Sequence, residues 1–147
     1  MALLNFSING ESQNPTKFNA FADNFQVVVD EPATLGGTNH GPNPVQYILA
    51  GYAGCLNVVA HLVAKEMNIE LKKVNIEING DLNPEKLFGT SSTQRAGFQV
   101  IRANIKVDTD ANQEAIDQWF KIVESRCPVN DNLLNETPIE FNVARAN

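Results

Sequence analysis

The stretch PVQYILAGYAGCL, Pro44–Leu56, decides the fold of this chain. Apolar residues recur at spacings of three and four, as in Ile48, Tyr52 and Cys55, which predicts a helix over Val45–Met67. Its opposite side carries alanine and glycine, so the helix is apolar on most faces, as is typical of a helix at the centre of a fold. Glycine inside a helix costs roughly 1 kcal/mol relative to alanine. The glycines are best explained by another backbone that packs close by.

A second helical pattern follows in the last third of the chain. Asp110 is expected to cap this helix, with Gln113 as its capping-box partner. Pro128 cannot continue the hydrogen-bond ladder without cost, so the helix is expected to end at Cys127. The residues that share its core-facing side are Ile116, Trp119, Phe120, Val123 and Cys127.

Alternating apolar and polar residues predict the strands. The expected strands are Leu3–Ile8, Lys17–Ala22, Phe25–Val29, Val74–Ile78, Phe98–Val107 and Ile139–Val143. Turns are expected at Asn9-Gly10 and Asp23-Asn24, a long ordered loop at Asp30–Pro44, and a polar loop at Gly80–Gly97. This order predicts one α+β domain over residues 1–147, with two long central helices packed against largely antiparallel sheets.

The composition argues against several classes of partner. The 147 residues include 17 Asp and Glu and 11 Lys and Arg, a net charge of −6, with no basic cluster. This balance argues against nucleic acid and against an anionic membrane surface. Met1–Gly10 resembles no signal peptide, and the apolar run Ile48–Leu56 is too short to span a bilayer. The sequence therefore predicts a cytoplasmic protein without a membrane segment.

Cys55 and Cys127 are the only cysteines in the chain. They lack metal-ligand spacing, and His40 and His61 add no ligand cluster, so neither a metal nor another cofactor is expected. In a reducing cytoplasm two cysteines are more often catalytic or simply buried than joined in a permanent disulfide. Composition alone favours two buried core thiols. The local sequence around each cysteine favours a thiol redox pair.

Five segments in order carry a family resemblance. They are Asp30-Glu31-Pro32, Gly36-Gly37, Gly41-Pro42-Asn43-Pro44 leading to Ala53-Gly54-Cys55, Arg95-Ala96-Gly97-Phe98, and Arg126-Cys127-Pro128-Val129. Together they resemble the OsmC/Ohr family of osmotically induced and organic hydroperoxide resistance proteins, and the OsmC-like branch in particular. The resemblance runs from Asp30 to the C-terminus. Neither cysteine motif is specific by itself; their joint order and spacing are.

The resemblance implies an OsmC-like fold, an intertwined homodimer and active sites at the subunit interface. It also implies peroxidase chemistry on organic hydroperoxides or hydrogen peroxide. Cys55 would attack as the thiolate and become a sulfenic acid. Cys127 would resolve it to a disulfide, and an external dithiol would then reduce that disulfide.

The groups that would activate Cys55 depart from the family pattern. The family supplies an N-terminal arginine held by a carboxylate soon after Asn-Pro, whereas this chain has no arginine before Arg95, and Val45 and Gln46 follow Pro44. Each substitute also has an ordinary structural explanation, such as a solvated loop arginine for Arg95. The activation candidates are Arg95, Gln46, Glu31 and His40. The candidates to line the substrate pocket are Tyr52, Leu56 and Phe98, with core packing as the alternative.

Two other functions remain open. The chain would be a non-enzymatic protein that binds a hydrophobic small molecule if its cysteines were vestigial, and the missing carboxylate and early arginine favour this hypothesis. A disulfide stress sensor that signals through a partner is weaker, because the chain has no interaction tail. Thiol reactivity discriminates between an enzyme and a binding protein, because a Cys55 with a lowered pKa reacts at about pH 6 and an inert thiol does not.

Overall fold

The computed structural model describes residues 2–90 and 93–146. The strands are β1 (Asn9–Ser12), β2 (Phe18–Ala22), β3 (Phe25–Val29), β4 (Lys73–Leu82) and β5 (Phe98–Asp108). The helices are α1 (Pro44–Glu66), α2 (Gln113–Arg126) and α3 (Pro128–Leu134), with a short 3₁₀ turn at Ala33–Leu35. The chain divides within α1 into two compact units, an N-terminal unit of residues 1–50 and a C-terminal unit of residues 51–147.

The N-terminal unit contains an antiparallel sheet in the order β1-β2-β3. Phe18 at the start of β2 pairs with Ser12 on one side and with Val29 on the other. The turn between β2 and β3 places Asp23 at φ 53°, a left-handed conformation that Asp tolerates better than most residues. The predictions of β2, β3 and the turn between them are confirmed.

The C-terminal unit contains an antiparallel hairpin of β4 and β5. β4 continues to Leu82, past the predicted end at Ile78, so the predicted polar loop Gly80–Gly97 is shorter than expected. Ser91 and Ser92 of that loop lie outside the described residues. The hairpin side chains that pack against the core are Ile76, Ile78, Ile105 and Val107. Helices with antiparallel sheets confirm the predicted α+β class.

The hydrophobic core of the C-terminal unit joins the second half of α1 to α2. Leu56, Val63 and Val123 are each at most 1% exposed. Trp119 is also buried there, and its indole N–H donates a 2.9 Å hydrogen bond to the carbonyl oxygen of Ala60. Because a buried indole N–H needs an acceptor, this bond restricts where α2 can lie on α1.

Both predicted terminal strands are wrong. Residues 2–8 form no strand, and Asn9 and Gly10 begin β1 instead of the predicted turn. Glycine suits this place because a Cβ on Gly10 would come within 2.3 Å of the Asn19 carbonyl oxygen on β2. Ile139–Val143 has no regular structure either. A strand needs a neighbour for its backbone hydrogen bonds, and neither terminal segment pairs with another strand among the described residues.

The start of α2 differs from the prediction, whereas its end before Pro128 is confirmed. Asn112, not Asp110, is the N-cap, and its side chain accepts a 2.9 Å hydrogen bond from the Ala115 N–H. Asp110 forms an ion pair with Lys72 at 2.7 Å instead. Beyond the predicted end of the helix the chain enters α3, a further helix that begins at Pro128. Proline is well suited to a first helical position, since its missing N–H is not needed there.

Helix α1 has apolar surface beyond the side that packs in the core. Val58 and Leu62 are 65% and 51% exposed. With 23 residues, α1 is long and apolar enough to cross a membrane by length and composition alone. The central helix of a water-soluble protein meets the same criteria. The absence of a membrane segment therefore stays a prediction.

Asp30 anchors the long loop that leads from β3 to α1. Its carboxylate is fully buried and accepts hydrogen bonds from the hydroxyl groups of Thr16 and Thr38. It also accepts hydrogen bonds from the backbone N–H groups of Glu31 and His40, with N–O distances of 2.8 and 3.1 Å. These donors, the Thr38 hydroxyl above all, hold the pKa of Asp30 well below its ordinary value of 3.8. The buried carboxylate at the start of the loop thus binds loop residues as far along the chain as His40.

We expect Asp30→Asn to lower the unfolding temperature by several degrees at pH 7, because an amide replaces one acceptor oxygen with a donor that faces other donors. The depressed pKa means that the stability supplied by Asp30 is present above about pH 4 and is lost as the pH falls below that value. The unfolding temperatures of wild type and Asp30→Asn, followed by circular dichroism, should therefore differ most at pH 7 and differ less at about pH 3. Asp23→Asn, in an exposed turn, is the control. A difference of equal size at both pH values would contradict this role.

Candidate functional site

Cys55 and Cys127 lie in contact although 72 residues separate them in the sequence. The Cys127 thiol donates a hydrogen bond to the Cys55 sulfur, with 3.0 Å between the two Sγ atoms. Both are free thiols. Cys55 is partly exposed, whereas Cys127 is only 1% exposed and belongs to the core. A reagent from solvent can therefore reach one sulfur of the pair more readily than the other.

Cys127 occupies the junction between α2 and α3. Its N–H donates to the Val123 carbonyl oxygen at 3.1 Å as the C-cap of α2. Its sulfur accepts the Asn130 N–H at 3.4 Å as the N-cap of α3. The backbone at Cys127 is extended, with φ −75° and ψ 111°, as expected for a residue that precedes proline. Pro128 thus creates the break between the helices that positions this thiol.

The buried position of Cys127 affects its protonation. Burial raises the pKa of the Cys127 thiol above its ordinary value of 9.0, and the hydrogen bond to Cys55 raises it further. Cys127 therefore carries its proton at neutral pH, and Cys55 accepts the hydrogen bond that this proton makes. The two sulfurs thus have different surroundings. Cys55 is partly exposed and accepts a hydrogen bond, and Cys127 is buried and donates it.

Tyr52 lies one helical turn before Cys55 and is hydrogen-bonded to the chain around Cys127. Its hydroxyl donates a 2.7 Å hydrogen bond to Asn130 Oδ1. Burial raises the pKa of Tyr52 above its ordinary value of 10.0, so the hydroxyl keeps its proton. Asn130 is 7% exposed and is a site residue that sequence reasoning missed. Its only sequence signal is its position three residues after Cys127.

The other two pocket candidates have different surroundings. Leu56 is 1% exposed and packs within the core. Phe98 pairs with Leu82 on the hairpin, and its ring covers Gly80, where a Cβ would come within 2.7 Å of the ring. Tyr52 and Leu56 therefore both lie in or against the buried cluster that contains Cys127, whereas Phe98 belongs to the hairpin.

The arginines have separate surroundings. Arg126, next to Cys127 in sequence, forms a 2.7 Å ion pair with Glu66, and Arg102 forms a 2.8 Å ion pair with Asp81. Arg95 is exposed, and its guanidinium lies over Gly97, where a Cβ would be 3.3 Å from Nη2. The arrangement leaves Arg95 at the surface of this single chain.

The remaining activation candidates belong to the N-terminal unit. Gln46 and Asn43 cap the start of α1 by two reciprocal 2.9 Å hydrogen bonds between side chain and backbone. His40 Nδ1 lies 3.1 Å from the ammonium group of Lys17, a contact that sequence reasoning missed. One carboxylate oxygen of Glu31 is buried without a hydrogen-bond partner among the described residues. Gln46 therefore caps α1, and Glu31 has a carboxylate oxygen that accepts no hydrogen bond from the described residues.

The C-terminal unit also has an open depression of about 630 Å³ between β5 and α2. Trp119 and Phe120 contribute apolar surface to it, and Glu77 and Lys106 contribute charged groups. The cysteines do not line this depression. Among the described residues no cluster of three or more His, Cys, Asp and Glu side chains has the arrangement of a metal site.

Comparison with known proteins adds an independent line of information. The model of the family described as OsmC-like protein matches residues 37–142. A hydroperoxide reductase of Mycoplasma genitalium is 26% identical over 141 residues, which cover 95% of this chain and 94% of the relative. The organic hydroperoxide resistance protein OhrB of Bacillus subtilis is 29% identical over 104 residues, 71% of this chain and 69% of the relative.

A solved structure extends the comparison to the fold. The crystal structure of an OsmC-like protein from Mycoplasma pneumoniae is similar with a TM-score of 0.77, at 22% identity. The match covers 89% of this chain and 88% of that chain. At this identity the likeness concerns the fold.

We expect mild oxidation of the reduced protein with diamide to join Cys55 and Cys127 within one chain. The sulfurs need to approach by only about 1 Å to reach the bonding distance. Mass spectrometry should detect the loss of two hydrogens from the intact chain, and a non-reducing peptide map should contain the linked peptides. Cys127→Ser is the control and should form no such link. Recovery of both thiols unreacted, or only disulfides between chains, would contradict the geometry.

Proposed function

Because the chain belongs to the OsmC-like protein family, whose model spans residues 37–142, we propose that it is a cysteine-dependent thiol peroxidase. Its substrates in this proposal are organic hydroperoxides or hydrogen peroxide. The observation that carries the proposal is the 3.0 Å approach of a partly exposed and a buried thiol. The names of the relatives in Mycoplasma genitalium and Bacillus subtilis support the same type of reaction.

The first step is attack of the Cys55 thiolate on the hydroperoxide. The sulfur bonds to one peroxide oxygen, the O–O bond breaks, and the departing alkoxide or hydroxide takes a proton from solvent. Cys55 becomes a sulfenic acid and the peroxide is reduced to an alcohol or to water. The partial exposure of Cys55 supports its choice as the attacking residue.

The second step is attack of Cys127 on the sulfenic sulfur. A Cys55–Cys127 bond forms, the S–O bond breaks, and the hydroxyl leaves as water with the Cys127 proton. An external dithiol then returns the pair to thiols by exchange and is itself oxidised to a disulfide. The cycle uses no cofactor, and it fits a reducing compartment such as the cytoplasm.

Activation of Cys55 requires a group that favours the thiolate over the thiol. We keep Arg95, Glu31, His40 and Gln46 as the candidates for this role. The surface position of Arg95 supports a contact with a second chain, and the buried carboxylate oxygen of Glu31 is an acceptor without a donor among the described residues. The capping bonds of Gln46 favour a structural role for that residue instead.

We expect Cys55→Ser to abolish hydroperoxide consumption in the presence of a dithiol, because a serine hydroxyl does not replace a thiolate nucleophile. Cys127→Ser should reduce about one equivalent of hydroperoxide and then stop, with Cys55 trapped as a sulfenic acid that over-oxidises. Peroxide loss and intact mass measured on the same samples would test both outcomes. Activity of Cys55→Ser at the wild-type level would overturn the proposal.

The binding alternative has an observation of its own, the open depression beside Trp119 and Phe120. In this hypothesis a hydrophobic small molecule occupies the apolar surface and the cysteines are vestigial. Alkylation of Cys55 by iodoacetamide at about pH 6 separates the hypotheses. Rapid alkylation there supports the enzyme, whereas an inert thiol supports the binding protein.

We also propose that the chain works as an intertwined homodimer. The terminal segments support this proposal, because Leu3 and Phe6 at one end and Phe141 and Val143 at the other are each at least 86% exposed. Apolar side chains that alternate along an extended segment are suited to pairing with a sheet edge. Exposed Val58 and Leu62 on α1 add apolar surface that a second copy would cover.

Sedimentation velocity tests the dimer directly. We expect a single species of twice the chain mass at micromolar concentration, since folding alone leaves the apolar terminal segments in water. Deletion of residues 2–8 should weaken the association, whereas Lys86→Ala, in an exposed loop, should leave it unchanged. A stable folded monomer at that concentration would contradict the proposal.

A further inference from the structure

We propose that Tyr52 and Asn130 are positioning residues for disulfide formation and hold Cys127 for attack on Cys55. This inference rests on the proposed function and assigns a role within its second step. It concerns a hydrogen bond between α1 and α3 that neither cysteine makes. The bond joins the helix that carries Cys55 to the first turn of the helix that follows Cys127.

Asn130 connects three helices through one buried side chain. Its Oδ1 accepts the Tyr52 hydroxyl of α1 at 2.7 Å, and its Nδ2 donates to the Glu124 carbonyl oxygen near the end of α2 at 3.1 Å. Its backbone N–H donates to the Cys127 sulfur at 3.4 Å. Asn130 is 7% exposed, so water cannot easily replace these partners. Two of these hydrogen bonds hold the Asn130 side chain, and the third contacts the sulfur that must attack Cys55.

Helix α3 needs such an anchor because it has only seven residues. A helix of that length has little stability of its own, since nucleation outweighs the few hydrogen bonds it gains. Cys127 also lies at a break between helices, where its backbone is extended. Without the bond to Tyr52, the first turn of α3 loses its hydrogen-bonded link to α1. The Cys127 sulfur would then sample a wider range of positions.

Tyr52 is well placed to act on this step. It precedes Cys55 by three residues, so the two side chains lie on neighbouring parts of the α1 surface. The Tyr52–Asn130 hydrogen bond therefore fixes the position of α3 relative to the turn of α1 that carries the Cys55 sulfur. Burial keeps the Tyr52 hydroxyl protonated by raising its pKa, which maintains the donor that Asn130 needs.

Disulfide closure can be measured without peroxide. 5,5′-Dithiobis(2-nitrobenzoate) reacts with the Cys55 thiolate, releases one thionitrobenzoate and leaves the second attached to Cys55 as a mixed disulfide. Attack by Cys127 on the Cys55 sulfur then forms the protein disulfide and releases the second thionitrobenzoate. The absorbance of the released thiolate follows both events in one trace. The ratio of the second rate to the first isolates the resolving step.

We expect Tyr52→Phe to lower this ratio about tenfold, because it leaves the buried Asn130 oxygen without its donor. Asn130→Ala should lower it at least as much. Tyr47→Phe is the matched control: it removes a phenolic hydroxyl that donates a 2.7 Å hydrogen bond to the Val28 carbonyl oxygen in the N-terminal unit. The ratio for this control should equal that of the wild type. With hydroperoxide, Tyr52→Phe should over-oxidise at Cys55 at lower peroxide concentrations than the wild type.

A ratio unchanged in Tyr52→Phe would overturn the inference, and so would a loss of thermal stability with no change in the ratio. If Asn130→Ala fails to fold, Tyr52→Phe alone decides, because it keeps the ring and removes one oxygen. The fold of each variant is checked by circular dichroism. The proposed function fails separately, if wild-type protein does not consume hydroperoxide while the thionitrobenzoate ratio still depends on Tyr52.

Discussion

The packing of α2 on the second half of α1 is the constraint on which the C-terminal unit depends. Ala60 and Ala64 of α1 are buried in the same cluster as Trp119 and Val123 of α2. Trp119 fills the contact and donates its indole N–H to the Ala60 carbonyl oxygen. Burying a large apolar side chain contributes about 1.5–3 kcal/mol, and the hydrogen bond adds direction, because another position of α2 would leave a buried donor unpaired. The end of α2, and with it Cys127, is thereby restricted relative to α1.

The chemistry of the site follows from how α2 ends. Pro128 forces the break, Cys127 takes the extended conformation before it, and α3 begins at once. The sulfur faces the core and reaches Cys55, where burial keeps its proton in place. Cys55 remains partly open to solvent on the other helix. One partly exposed thiol and one that is buried and protonated are the arrangement on which the proposed two-step reaction rests.

In the N-terminal unit a buried charge organises the loop that leads to α1. Ala20 is buried there, but the feature that organises the loop is the carboxylate of Asp30 with its ring of donors. A buried charge is tolerated only when it is fully hydrogen-bonded, so the loop must keep its path for Asp30 to remain ionised. The hydrogen bond from Tyr47 to the Val28 carbonyl oxygen then ties the start of α1 to β3.

The local sequence pattern was sufficient to predict α1, β2, β3 and β5. Each of these elements depends on periodicity within one segment and on nearby turn residues. The joint order and spacing of several segments, and not either cysteine motif by itself, made Cys55 and Cys127 candidates. The local pattern failed for Leu3–Ile8 and Ile139–Val143, where alternation describes a strand but cannot supply the neighbouring strand. Only the tertiary structure brought the two sulfurs to 3.0 Å, gave Asn130 its bond to Tyr52 and made Asp30 an anchor. These features join residues that are distant in sequence, and their geometry depends on how whole helices and loops pack, which no single segment encodes.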